Sequence, residues 1–214
     1  MEQKLDLNTW PRKEIYSFFR NISNPFYMVT FRQDVTALRR YTRQRGLSFY
    51  YALIFLCTQA IHTVEAFRIT IRNGELWQLD GRIPSFTDLK PGIDCFHIVT
   101  LPLSGSLDDF CRAARARSLA QTAFLDESQE TDALLYFSCL PWVDLTGLTN
   151  ERDLSSPAAR DDSVPRIAWG KYVPVGDRLE LGISLEVNHR LIDGIHIGRF
   201  ADALTRLIEA LPEE

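Results

Sequence analysis

The chain has 214 residues and a formal net charge of −4, and 45% of its residues are hydrophobic, enough apolar material for one sizeable core. No linker-like stretch divides it, so we predict a single domain over residues 1–214. The negative charge and scattered arginines argue against nucleic-acid binding, and no apolar run matches a signal peptide or the roughly 20 residues of a membrane span. We therefore expect a cytoplasmic protein.

The cysteines carry no sign of a metal site. They are widely spaced in apolar or helical segments and form no Cys-x-x-Cys pair: Cys57, Cys95, Cys111 and Cys139. This spacing predicts buried thiols in a reducing compartment, neither disulfides nor metal ligands. We expect no metal cofactor.

The first third of the chain predicts helices around one strand. The apolar pattern predicts a helix over 10–19, a strand over 26–31, a helix between Asp34 and Gly46, and a more deeply buried helix over 49–67. Asp34 and Ser48 are of the types that cap such helices, and Pro11 suits a first helical turn.

Strands and loops dominate the middle of the chain. Asn73-Gly74 lies between two short alternating segments and predicts a type I′ hairpin, because both turn positions need a positive φ. Ser106 begins a predicted helix that continues to about residue 122, and a strand follows over 133–137. Residues 144–165 are polar and rich in Pro, Ser and Asp, so they are predicted to be mostly surface loop.

The last 50 residues hold the clearest pattern. Strands are predicted over 167–174 and 178–188, and in the second strand apolar residues take every second position. Over 197–211 apolar residues recur at three- and four-residue intervals, as in an amphipathic helix. The complete order of elements predicts an α/β (α+β) domain, a two-layer sandwich in which a large mixed sheet is covered by helices.

A histidine lies between this last strand and helix, in the sequence His189-Arg190-Leu191-Ile192-Asp193-Gly194. If the alternation of the strand continues by one residue, His189 points to the apolar face at the strand end. His189 is then either a catalytic base or a core histidine bonded to a carbonyl. Asp193 either supports the histidine or only caps the following helix.

This His-x-x-x-Asp-Gly sequence resembles the motif that the chloramphenicol acetyltransferase family carries near its C-terminus, within the wider CoA-dependent acyltransferase superfamily. Further segments resemble the family in the same order along the chain: Trp10-Pro11-Arg12, Phe67-Arg68, Ser138-Cys139-Leu140-Pro141-Trp142, Gly170-Lys171-Tyr172 and Gly176-Asp177-Arg178-Leu179. The resemblance implies the CoA-dependent acyltransferase type of fold, a homotrimer, and active sites between two subunits.

The resemblance also implies a reaction, the transfer of acetyl from acetyl-CoA to a hydroxyl of chloramphenicol, which inactivates the antibiotic. An alcohol is a poor nucleophile, so a general base with a pKa near 7 must take its proton during attack on the thioester. His189 is the candidate base, and Ser138 is the candidate donor to the tetrahedral oxyanion. Without the resemblance, Ser138 could equally be a strand-end serine bonded to backbone.

Other site residues are implied by the resemblance. Arg12 and Asp193 match an ion pair that holds the turn orienting the histidine, without a charge relay. Residues along the implied CoA channel are Trp142, Lys171 and Tyr172. Aromatic residues near the implied acceptor pocket are Phe19, Phe96 and Phe124, although residues of all these types are also common packing residues.

The chain departs from the family pattern at four positions. Asn188 replaces the first of two adjacent histidines, and Ala168 replaces a threonine that helps to hydrate the transition state. Asn150 and Arg152 stand where apolar residues usually form the wall of the antibiotic pocket. If they face the pocket, we expect a raised KM for chloramphenicol; the alternative is that both lie on the surface.

Three functions therefore compete. The first is chloramphenicol O-acetylation, and the second is the same mechanism with another small hydroxyl or amine acceptor. The third is a non-catalytic trimeric binding protein of the same fold. We expect an enzyme, since His189, Ser138, Asp193 and Arg12 are all retained. The sequence begins without a lipoyl-domain-like extension, which argues against an acyltransferase of a multienzyme complex.

Overall fold

The helices and strands follow the predicted order closely. The computed structural model describes residues 2–90, 92–152 and 154–213, and within them the elements are β1 (Gln3–Leu5), α1 (Lys13–Arg20), β2 (Phe26–Asp34), α2 (Thr36–Gln44), α3 (Phe49–His62), β3 (Ile69–Arg72), β4 (Glu75–Gln78), β5 (Ile83–Leu89), β6 (Phe96–Thr100), α4 (Leu107–Ala120), β7 (Leu134–Cys139), β8 (Arg166–Trp169), β9 (Val173–Val175), β10 (Arg178–Asn188) and α5 (Gly194–Glu209). Short 3-10 helices lie at Glu65–Arg68, Glu127–Gln129 and Pro157–Asp161.

A large mixed sheet is the base of the fold. Its strands lie in the order β2-β10-β8-β7-β5-β6, and β9 pairs with the start of β10. The β7 strand is parallel to both of its neighbours, β5 and β8, whereas the other pairs are antiparallel. A second, smaller antiparallel sheet has the order β1-β4-β3. The predicted fold class is therefore confirmed.

The β10 strand joins the sheet to the helices. Its apolar side chains are completely buried on the helix side: Leu181, Ile183, Leu185 and Val187. Burying each such side chain stabilises the fold by roughly 1.5–3 kcal/mol. The helices α3 and α5 pack together above this face, and α3 also contacts α2 and α4. Packing of this apolar face in the core holds β10 in place, and it thereby positions His189, the residue that follows the strand.

The buried helix α3 is shorter than predicted. Ser48 caps it, and the Ser48 side chain accepts a hydrogen bond from the backbone N–H of Tyr51. The helix ends at His62 instead of continuing to residue 67, and a 3-10 helix follows. The β-branched pair Thr63-Val64 explains the break, because such residues favour helix less and Val64 is extended.

The polar segment over 144–165 is mostly loop, as predicted, apart from the 3-10 helix at Pro157–Asp161, but it also packs against the large sheet. Parts of it cover the second face of β10, where Ser184 and Glu186 are buried. The N–H of Leu148 donates to Ser184 Oγ at 3.1 Å, and the N–H of Asn150 donates to Glu186 Oε2 at 2.9 Å. The segment is polar because it must satisfy polar side chains of the sheet.

Glycines let Val143 and the start of this segment lie close to the sheet. A Cβ at Gly170 would lie 2.3 Å from the carbonyl oxygen of Val143, and one at Gly182 would lie 2.2 Å from that of Leu145. Gly170 also ends β8, so the single strand predicted over 167–174 is two strands, β8 and β9. No larger residue fits at either glycine without moving the backbone.

Several local predictions have clear outcomes. The hairpin is confirmed, with φ of 52° at Asn73 and 77° at Gly74. Asp34 is the last residue of β2, not the cap residue of α2, although its carboxylate accepts a hydrogen bond from the N–H of Thr36. Cys95 is exposed, contrary to the prediction for all four cysteines, because it lies in the bend before β6.

Among the described residues, no helix is long and apolar enough to cross a membrane. The same part of the chain contains no group of three or more His, Cys, Asp or Glu arranged to hold a metal ion.

Candidate active site

His189 is fixed by the end of β10. Its N–H donates to the carbonyl oxygen of Pro25 at 2.8 Å, which continues the pairing of β10 with β2 by one residue. Its ring lies between two aromatic rings, with centroid distances of 4.1 Å to Phe19 and 4.2 Å to Tyr27. The side chain remains 32% exposed. The imidazole is thus held on both faces and still reachable.

The electrostatic setting of His189 keeps the ring neutral. Burial lowers its pKa below the usual 6.5, and the positive charge of Arg12 acts in the same direction. Asp193 opposes this shift, and its Oδ1 lies 3.5 Å from His189 Nε2. A histidine with a lowered pKa is mostly unprotonated at pH 7, which is the form that can accept a proton.

Arg12 and Asp193 form an ion pair through Arg12 Nη1 and Asp193 Oδ2. Their side chains are 16% and 25% exposed, so the pair is largely but not fully buried. The hydrogen bond from Arg12 holds the pKa of Asp193 below its usual range. Arg12 lies at the start of α1 and Asp193 at the start of α5, so the pair ties these helices together beside His189.

The turn after β10 also contains a residue that the sequence analysis missed. Arg190 is almost completely buried and donates to Asp161 Oδ1 and to the hydroxyl of Tyr16, both at 2.7 Å. Its guanidinium also lies 4.6 Å from the centre of the Tyr16 ring. These contacts hold α1 and the 3-10 helix at 157–161 against the turn. Its burial has no signal in the sequence, because Arg190 has the same parity as the polar positions of β10.

Ser138 lies near the end of β7, on the face of the sheet away from the helices. Its strand neighbours Leu135 and Phe137 face the core. Ala168 on β8 lies in register beside it, and Ser184 on β10 lies beside Ala168, one strand further along the sheet. The Thr87 hydroxyl lies 3.5 Å away on the other side.

An open groove of about 1150 Å³ runs past Ser138. Several residues expected in the CoA channel or acceptor pocket line it: Phe96, Trp142, Lys171 and Tyr172. The ring of Phe124 packs on that of Phe96, 5.5 Å between centroids. The indole of Trp142 is largely exposed, and the ring of Tyr172 packs on that of Phe49 at 5.3 Å between centroids. A groove of this size has room for a ligand larger than a simple acyl group.

Asn150 and Arg152 take different places, and neither sequence interpretation holds for both. Asn150 lines the groove and also a neighbouring pocket of about 290 Å³. Arg152 lines only the smaller pocket, is 8% exposed, and pairs with Glu186 and Asp162. Its charge is therefore compensated inside the protein, so the desolvation penalty expected for an unpaired group does not apply to it.

The predicted site residues fall into two separate groups within one chain. Ser138 pairs with Ala168, Ala168 pairs with Ser184, and His189 follows Ser184 by five residues. With about 3.3 Å per residue along a strand and about 4.8 Å between strands, His189 and Ser138 lie roughly 19 Å apart. Phe19, Arg12 and Asp193 accompany His189, whereas the groove residues accompany Ser138. A single chain does not bring the two candidate catalytic groups together.

Comparison with known proteins places this geometry in context. A sequence model of the family described as chloramphenicol acetyltransferase matches residues 2–205. The chain is 28% identical to chloramphenicol acetyltransferase 3 of Escherichia coli, over 95% of each chain. It is also 28% identical to a chloramphenicol acetyltransferase of Staphylococcus aureus, over 95% of this chain and 94% of the relative.

Solved structures show the same fold. A chloramphenicol acetyltransferase superposes with a TM-score of 0.86 at 22% identity, covering 97% of this chain and all of the other. The cubic core of the pyruvate dehydrogenase multienzyme complex superposes with a TM-score of 0.67 at 20% identity, covering 92% and 88%. The end-to-end match of the family model goes beyond this shared fold: the chain belongs to the chloramphenicol acetyltransferase family.

Proposed function

We propose that this chain is a CoA-dependent O-acetyltransferase that moves the acetyl group of acetyl-CoA to a hydroxyl of chloramphenicol and so inactivates the antibiotic. The observation that carries the proposal is the setting of His189, in a chain of this family. The ring is held between Phe19 and Tyr27, remains accessible, and has a pKa shifted towards the neutral form. This is what a general base needs.

In the proposed reaction His189 takes the proton of the acceptor hydroxyl as its oxygen attacks the thioester carbonyl. The carbonyl oxygen becomes an oxyanion, and the hydroxyl of Ser138 donates a hydrogen bond to it. The intermediate then expels the sulfur of CoA, which receives the proton held by His189. Free thiol and acetylated acceptor leave, and His189 is neutral again.

The residues around His189 fix its position and influence its pKa. The Arg12–Asp193 pair fixes the turn that carries His189, and the carboxylate of Asp193 partly offsets the lowering of the His189 pKa. For the nucleotide part of acetyl-CoA, we propose contacts with Trp142, Lys171 and Tyr172, which line the groove. Phe19, Phe96 and Phe124 are proposed for the aromatic acceptor, with Phe19 coming from the His189 group.

We propose a homotrimer in which His189 of one subunit faces the groove of the next. The roughly 19 Å between His189 and Ser138 in one chain supports this arrangement, since two different surfaces that meet head to tail form a closed ring. Exposed apolar side chains flank both groups, Phe18 and Ile195 near His189 and Phe96 and Phe124 at the groove. The choice of three subunits rests on the resemblance to the family.

A second acceptor remains a candidate because Asn150 lines the groove. An amide in place of an apolar side chain disfavours an aromatic, chlorinated molecule and favours a more polar small alcohol or amine. The mechanism would be unchanged. The single-domain organisation and the cytoplasmic location expected from the sequence stay predictions.

The direct test mixes the protein with acetyl-CoA and chloramphenicol and measures free thiol and acetylated chloramphenicol together. Equal amounts of both products support the proposed acceptor. A His189→Ala variant should remain folded but transfer acetyl at least roughly 10³-fold more slowly, because it lacks the base. Thiol release without acetylated chloramphenicol would point to another acceptor, and full activity of the variant would remove His189 from the mechanism.

A further inference from the structure

Thr87 is a neighbour of Ser138 that the sequence did not single out. It lies on β5, directly beside β7, and both side chains line the groove. The Oγ1 of Thr87 donates to Ser138 Oγ at 3.5 Å. This is a long hydrogen bond, of the kind that often tightens when a ligand fills an active site.

The direction of this hydrogen bond decides what Ser138 can do. A hydroxyl has one proton to donate and two lone pairs that accept. When Thr87 occupies a lone pair of Ser138, the Ser138 proton must point elsewhere. In the described part of the chain, no protein group accepts that proton, so it is available to a ligand in the groove.

Ser184 shows the opposite situation in the same row of the sheet. Its Oγ lies 2.7 Å from Thr30 Oγ1 and also accepts from the N–H of Leu148 at 3.1 Å. The hydrogen bonds of this hydroxyl are made within the protein, beneath the segment over 144–165. Ser138 and Ser184 thus each have a threonine neighbour on the same face of the sheet, but of the two only Ser138 lines the groove.

The core holds Thr87 in place. Its carbonyl oxygen accepts a hydrogen bond from the hydroxyl of Tyr50 on α3, at 2.6 Å. Its branched side chain has few rotamers. On the other side of Ser138, the neighbour in register is Ala168, which has no hydroxyl. Of the two residues beside Ser138 on the neighbouring strands, Thr87 is therefore the one that can donate a side-chain hydrogen bond to it.

We propose that Thr87 is a positioning residue for acetyl transfer, which by donating to Ser138 Oγ turns the Ser138 proton into the groove. The proposal rests on the proposed function, in which that proton stabilises the oxyanion. A hydroxyl that accepts a hydrogen bond is also a better donor, so Thr87 strengthens the bond to the oxyanion as well as directing it.

Kinetics of matched variants test this role. Thr87→Val removes the hydroxyl and keeps the shape, so kcat should fall roughly 3- to 10-fold with little change in KM, the effect of one neutral hydrogen bond. Thr87→Ser should restore most of the rate. Thr30→Val, the same change beside Ser184, should leave kcat and KM unchanged.

A double variant distinguishes positioning from a general structural effect. In a Ser138→Ala background, Thr87→Val should cause no further loss, because its effect passes through Ser138. A wild-type kcat in Thr87→Val overturns the proposal. So does an equal loss with and without Ser138.

Crystal structures provide a readout that needs no activity. Wild-type protein should show a single Ser138 rotamer bonded to Thr87, and Thr87→Val should show a different or mixed rotamer. An unchanged single rotamer overturns the positioning role even if no acetylation occurs. Absent acetylation by the unaltered protein counts against the proposed function, whereas normal acetylation with an unaffected Thr87→Val counts against this inference alone.

Discussion

At the scale of single residues, His189 is subject to opposing influences. Burial and Arg12 lower its pKa, and Asp193 raises it. The ring therefore titrates on the acid side of neutrality, and the stacking of Phe19 and Tyr27 keeps it from turning away. Burial and Asp193 together raise the pKa of Tyr27 to about 12, so that residue stays neutral beside the histidine.

The pH dependence of kcat/KM tests this description. Transfer needs neutral His189, so kcat/KM should rise through a pKa below 6.5 and stay level above it. Asp193→Asn removes the group that raises this pKa, so the acid limb should move to lower pH while the rate falls. A limb centred above 6.5 in the wild-type protein would contradict the account.

The same shift has a consequence for stability. Because the folded state lowers the pKa of His189, the unfolded chain binds a proton more readily below pH 6.5. The pKa values of His62 and His196 are also lowered by burial. Stability from these groups is therefore present above pH 6.5 and is lost as the pH falls below it.

The sequence predicted site residues that belong to a short motif, but it did not predict residues whose partners are distant in sequence. His189 and Asp193 stand in one six-residue motif, and the turn between them has the expected ion pair. Arg190 in the same motif has no local signature, since an arginine is usually solvated. Its partners Tyr16 and Asp161 are distant in sequence.

At the scale of elements, periodicity decided what could be predicted. The bounds of β10 match the prediction because its apolar alternation is strict over the whole strand. The segment over 144–165 was correctly predicted as loop, but its contacts with β10 could not be predicted because they are polar and non-local. No pattern within it shows that Leu148 and Asn150 donate to a strand more than thirty residues away.

The ion pair that joins α1 to α5 should contribute to stability. Removing one partner of a fully buried pair costs roughly 3–5 kcal/mol, but exposed pairs contribute below about 1 kcal/mol. With side chains 16% and 25% exposed, Arg12→Gln or Asp193→Asn should each lower the free energy of unfolding by about 2 kcal/mol. Urea unfolding measures this.

A matched control comes from an exposed pair. Arg40 and Glu213 are 47% and 80% exposed, so Arg40→Gln should change stability by less than about 0.5 kcal/mol. The double variant of Arg12 and Asp193 should lose less than the sum of the single losses. Additive losses, or an Asp193→Asn protein of normal stability, would show that the pair is not coupled.

Two glycine substitutions, one beside the segment over 144–165 and one on α5, should change stability in opposite directions. Gly182→Ala places a Cβ 2.2 Å from the carbonyl oxygen of Leu145, so the segment must shift, and stability should fall by roughly 1–3 kcal/mol or more. Gly198→Ala lies on α5 with no atom near the added Cβ and should stabilise by roughly 0.5–1 kcal/mol. Thermal unfolding of both variants checks the prediction. A neutral Gly182→Ala would mean that the segment is not held against the sheet.

At the scale of the whole molecule, the account depends on how two distant surfaces meet. The family resemblance implied active sites between two subunits, and the register of β7, β8 and β10 separates the candidate catalytic residues into two groups in each chain. Strand register depends on long-range pairing, which no local pattern encodes. In the assembly proposed above, the His189 group of one copy meets the groove of another.

The central claim is that each active site joins His189 of one subunit to Ser138 of the next. Co-expression of His189→Ala and Ser138→Ala chains tests it most directly, with light scattering to check for a particle of threefold chain mass. In a closed trimer, every mixed ring contains one site with both wild-type residues, so random mixing should restore about a quarter of wild-type activity. Activity no higher than that of the two parent variants, or a monomer in light scattering, would contradict the account.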